Sequence, residues 1–78
     1  MSNSNYETSD FGLSAALLTA GSELVSVNRD NPKRVVFEFT DSLITQETIK
    51  KYWNGELCLN VLRFFENSKI LKSRIYGA

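Results

Sequence analysis

The sequence predicts an α+β domain, a small antiparallel sheet with helices packed on one face, and three observations carry that prediction. Residues 34–40 alternate apolar and polar, the period of a half-buried strand. Asp30, Asn31 and Pro32 supply turn chemistry between that segment and an apolar run at residues 24–27, so the two strands pair as a hairpin. Apolar residues at helical spacing fill residues 11–20 and 61–76, and a second amphipathic stretch ends on Asn54 and Gly55. The predicted element order is β-α-β-β-α-(β)-α.

Residues 1–5, rich in Ser and Asn, form a loose N-terminal tail, and residues 6–78 form the single domain. Tyr6, Glu7 and Thr8 make a short strand. Ser9 or Asp10 then caps a helix that reaches Ala20, where Gly21 suits the left-handed residue that ends it. Ser14 and Thr19 are the only polar breaks in that helix, so it is expected to be buried. In the second strand of the hairpin Val35, Phe37 and Phe39 point one way, and Val36, Glu38 and Thr40 the other. Asp41 or Ser42 caps the next helix, which is expected to turn Thr45, Ile49, Tyr52 and Trp53 to the core, with Ile44 at the edge. Leu57, Cys58 and Leu59 are a short strand or an extended linker. Asn60 caps a last helix, whose projection gathers Leu71, Phe64, Ile75, Val61, Phe65, Tyr76 and Leu62 into about half the circumference as its core-facing side.

Composition narrows the chemistry. The 78 residues suffice for one domain, and a chain of this size buries only roughly 60 to 65% of the surface it exposes when unfolded, so a deep catalytic cleft would remove contacts the fold needs. Histidine is absent, which eliminates the commonest general base and the Ser-His and Cys-His pairs. One cysteine forms neither an internal disulfide nor a four-thiolate metal site, and it suits a reducing, cytoplasmic compartment. The longest apolar run, residues 11–20, is too short to span a bilayer. No enzyme, metal, cofactor, membrane or small-molecule substrate is therefore expected. Net charge is zero but unevenly spread: residues 1–48 hold seven acids and three bases, and residues 49–78 hold six bases and two acids. Such a division marks either a surface for an acidic or nucleic-acid partner or two halves that attract one another.

The stretches TSDFGLSAALLTAG, NPKRVVFEF, YWNGELCLN and FFENSKILKSRIY, with Asp10-Phe11, Gly21, Asn31-Pro32, Arg34, Phe37, Phe39 and Phe65 among their residues, carry a family likeness. Over nearly the whole chain the sequence resembles a family of short proteins from bacterial and phage genomes catalogued as a domain of unknown function. The resemblance implies a freestanding, cytoplasmic, prokaryotic or viral domain and brings no activity or site with it.

Candidate sites must come from the residues. Phe37 and Phe39 have the alternate-aromatic spacing of RNA-recognition motifs, but the glycines of that motif are missing and the pair lies on the apolar side of its strand, so core packing is expected. Tyr52 and Trp53 point about 100° apart on a helix and cannot both face one ligand ring; Trp53 is assigned to the core. Cys58 is expected to be a small buried thiol. On the last helix Ile70 projects between Arg63 and Arg74 on the solvent side, and with Asn67 these residues form the candidate interface for a protein partner or a homodimer. Lys50, Lys51, Lys69 and Lys72 are the candidate phosphate contacts if nucleic acid is bound. The leading expectation is a non-enzymatic binding module working by protein contact or self-association; the alternative is a nucleic-acid accessory protein.

Overall fold

A computed structural model describes residues 5–31 and 33–76. The elements run β1 (Tyr6–Thr8), α1 (Phe11–Ala20), β2 (Leu24–Asn28), β3 (Val36–Phe39), α2 (Leu43–Asn54) and α3 (Val61–Tyr76). The optional strand at Leu57 to Leu59 does not form, and residues 56–60 connect α2 to α3. The predicted tail falls mostly on residues 1–4, outside the described residues, but Asn5 is held by its side chain, whose amide donates to Glu38 at 2.8 Å.

Each helix boundary has a local cause. Asp10 accepts the Leu13 N–H at 2.9 Å and Ser42 accepts that of Thr45 at 3.3 Å, so one free donor at each helix start is satisfied by a side chain. Gly21 and Gly55 close α1 and α2 with φ of 110° and 73°, values that a Cβ would oppose, and their N–H groups return to the last-turn carbonyls. Asx bonds shape the loop from β2 to β3, with Asp30 N donating to Asn28 Oδ1 and Lys33 N to Asn31 Oδ1, both at 2.9 Å.

The sheet has the order β1-β3-β2, antiparallel on both sides of β3. A register shift between Leu24 and Ser26 bulges β2 at Val25, which leaves Val25 half in solvent while Leu24 and Val27 pack on the core. Phe37 and Phe39 point from the central strand into a cluster with Leu13, Leu17 and Leu71 and are essentially inaccessible, at 1% and 0% exposure. The expected core role of these rings is what the structure shows, and it removes them as base-stacking groups. Phe11 of α1 meets Phe37 edge to face, with centroids 6.4 Å apart. On the opposite face Glu7 and Glu38 are cross-strand partners. Two hydrogen bonds, from Asn5 and from Ser26 at 2.8 Å each, hold the Glu38 carboxyl below the usual range.

α1 packs against both α2 and α3, whereas α2 and α3 have no comparable contact with each other among the described residues. Two polar joints tie α2 to its neighbours. Thr45, fully buried, donates to the Thr40 carbonyl at 2.7 Å, so the Ser22 hydroxyl 2.8 Å away must donate to it in turn. At the other end the Tyr52 hydroxyl reaches Asp10 beside Gly12. Desolvation, then the Asp10 charge, then the hydrogen bond to Asp10 raise the Tyr52 pKa.

Two expectations for side chains fail here. Trp53 is 62% exposed rather than buried, because the inward face of α2 is set by Thr45, Thr48, Ile49 and Tyr52, and Trp53 lies a further helical step round, stacking edge to face on Tyr52 at 4.9 Å. Cys58 is exposed on the α2–α3 connection rather than buried.

A Cβ at position 12 would sit 2.8 Å from the Tyr52 hydroxyl. Gly12→Ala, which elsewhere in a helix would gain up to about 1 kcal/mol, is expected instead to cost about 1 to 3 kcal/mol in urea denaturation, and Tyr52→Phe should abolish most of that penalty. Equal penalties in both backgrounds would disprove the steric origin. Thr45→Val removes the hydroxyl that serves Thr40 and Ser22 and should lower stability by about 1 to 3 kcal/mol; a variant as stable as the parent would show the joint to be dispensable.

Candidate functional site

α3 begins where Asn60 accepts the Arg63 N–H at 3.0 Å and runs for 16 residues. Its inward stripe is Phe64, Ser68, Leu71 and Ile75, at spacings of four, three and four. Ser68 is tolerated on that side because its hydroxyl donates to the Phe64 carbonyl at 2.9 Å. Two contacts fix the rotation of the helix. Asn67 donates to Thr19 Oγ1 at 3.0 Å across the α1 seam, and Arg29 reaches the Ile75 carbonyl at 3.4 Å from the end of β2.

With the rotation fixed, α3 presents two flanks to solvent. Arg63, Ile70 and Arg74 form the first, as expected, and Ile70 is half exposed. Asn67, the fourth member of the candidate interface, sits at the edge of this flank with its amide committed to Thr19, so it serves the α1 seam. The second flank is the larger surprise. The helical projection puts Val61, Leu62, Phe65 and Tyr76 in the core-facing arc, yet all are exposed, Val61 and Tyr76 most of all at 81% and 78%. The cause is capacity: a three-stranded sheet and a ten-residue α1 offer α3 one stripe of partner surface, enough to cover Phe64, Leu71 and Ile75 and no more. The second flank was readable as a separate stripe, since Leu62, Phe65, Lys69, Lys72 and Tyr76 follow one another at spacings of three and four.

The four candidate phosphate contacts do not converge. Lys69 and Lys72 lie on the second flank of α3, where the Lys69 ammonium rests 4.7 Å from the centre of the Phe65 ring. Lys50 and Lys51 lie on α2 and line a hollow of about 300 Å³ together with Glu47 and Glu56, so its charge is mixed. A second hollow, of about 560 Å³, is lined by Arg29, Asp30, Val35, Ile75 and Tyr76 at the end of α3 and is likewise of mixed charge. Among the described residues, no group of three or more Cys, Asp and Glu side chains is placed to hold a metal ion, and no helix is long and apolar enough to cross a membrane.

What stands out chemically is therefore a surface on one helix: large apolar side chains interleaved with cations, beside a sheet whose Phe37 and Phe39 are sealed away. No curated protein and no solved structure matches the chain. A family model matches residues 3–77, and the chain accordingly belongs to DUF5659, a domain of unknown function.

Proposed function

We propose that this domain is a non-enzymatic binding module that acts through protein–protein contact, with α3 as its contact surface. One observation carries the proposal: Leu71 is the only apolar side chain of α3 that is fully buried, while Val61, Leu62, Phe65, Ile70 and Tyr76 are exposed. Single exposed apolar residues are ordinary on protein surfaces, but several along one helix expose apolar area of the kind that interaction sites use. Arginines beside aliphatic and aromatic groups add to this, since such combinations are enriched at interface cores. The proposal includes a cytoplasmic setting in a prokaryotic or phage-infected cell, of which the single thiol Cys58 supports the reducing compartment.

The nucleic-acid alternative rests on Lys50, Lys51, Lys69 and Lys72. It draws less support, because those lysines are divided between two helices and the α2 pair shares its hollow with Glu47 and Glu56.

The test compares two double variants, Leu62→Ser with Phe65→Ser and Arg63→Glu with Ile70→Asp. Both change exposed side chains, so each substitution should shift unfolding free energy by only about 0.5 kcal/mol. At least one pair is expected to lower the sedimenting mass or to remove partners that co-purify with the parent. Unchanged mass and unchanged partners in both variants would refute the proposal. DNA binding that weakens steeply as salt rises, with a slope set by the number of phosphates contacted, would put the nucleic-acid alternative in its place.

A further inference from the structure

We infer that the partner of α3 is another amphipathic helix, one that carries carboxylates at the middle of its contact stripe and docks along Leu62, Phe65, Lys69, Lys72 and Tyr76. This inference rests on the protein-contact role and gives the partner its chemistry. The docking stripe repeats at three, four, three and four residues, the spacing by which one helix seats its side chains against another. The inward stripe of α3, with Phe64, Ser68, Leu71 and Ile75, has the same kind of spacing and is already occupied by the fold. α3 thus has the pattern of a helix with neighbours on two sides, and the described residues supply only one.

Charge selects the occupant. The stripe is apolar at Leu62, Phe65 and Tyr76 and cationic at Lys69 and Lys72 between them. The Lys69 ammonium lies against the Phe65 ring, so the cation is held on the stripe. Glu66 stands three residues before Lys69, a spacing at which helical side chains are neighbours, whereas Lys72 has no carboxylate three or four residues away in either direction, so the stripe as a whole carries net positive charge. Carboxylates on the facing helix would meet both ammonium groups while the apolar ends close over its apolar residues.

The same pattern disfavours the other occupants. In a second copy lying antiparallel, the register that sets Leu62 against Tyr76 brings Lys69 against its own copy and Phe65 against Ser73, so that beyond the end pairs only Lys72 with Glu66 is matched. A bilayer receives helices whose lysines border the apolar face and reach outward from it, whereas here the lysines occupy the centre. A phosphate backbone would leave Leu62, Phe65 and Tyr76 in water.

The experiment uses the full chain and labelled synthetic helical peptides, read by fluorescence anisotropy. One peptide has Leu at the outer contact positions and Glu at the two central ones, and its control has Lys at the central ones. The Glu peptide should bind more tightly than the Lys peptide by about tenfold or more. Lys69→Glu with Lys72→Glu should reverse that preference, and Phe65→Ala should weaken binding of whichever peptide is preferred. Circular dichroism checks that the variants keep their helices. Equal binding of the two peptides, or a preference that survives charge reversal, overturns the inference. So does a dimeric mass abolished by Phe65→Ala, which would name a second copy, or binding to anionic phospholipid vesicles that is lost on charge reversal while the Glu peptide fails to bind. If the peptides fail while Leu62→Ser with Phe65→Ser still removes co-purifying partners, the acidic-helix chemistry falls and the protein-contact role stands.

Discussion

The burial of Phe37 and Phe39 beneath α1 is the constraint on which the rest of the molecule depends. β3 is the central strand, so these two rings fill the middle of the inner face, and Leu13 and Leu17 of α1 close over them with Leu71 of α3. Because α1 is apolar on nearly every side, it can meet the sheet, α2 and α3 at once, and the flanking helices are organised around it rather than around each other. A small domain has few such cluster residues and therefore little freedom to divert any of them to chemistry.

Polar groups inside this arrangement act as joints. Thr45 links the end of β3, the end of α1 and the start of α2 through hydroxyls that satisfy one another. Tyr52 and Asp10 join the opposite end of α2 to the start of α1, and Gly12 leaves the space for that approach. Both joints determine orientation where apolar contact alone would tolerate sliding. α3 has a single equivalent to α1, from Asn67 to Thr19, and the Arg29 contact at its other end.

Much of the architecture was legible in the residues because it is governed locally. Caps at Asp10, Ser42 and Asn60, left-handed closures at Gly21 and Gly55, and the alternation through Phe37 and Phe39 are short-range signals with direct physical causes. The orientation of α2 and α3 was less legible. Periodicity tells which side of a helix is apolar, but not how much partner surface is present to cover it. Hydrophobicity alone puts Trp53 and Phe65 inside, and both lie outside because the inward space is filled by Thr48, Ser68 and their neighbours, side chains less apolar but in the right direction. Of the candidate residues, the exposure of Arg63, Ile70 and Arg74 follows from the helical projection, Asn67 serves the helix seam, and the exposure of Leu62 and Phe65 does not follow from the projection, for the same reason of capacity.

The geometry of the two outer strands bears on how copies of this molecule behave when concentrated. β1 has three residues and β2 is interrupted at Val25, so neither rim offers the long, flat row of amides that templates the addition of a foreign strand. Crowding should accordingly not join copies along the sheet, since the first step toward stacked cross-β fibres needs such a row of amides.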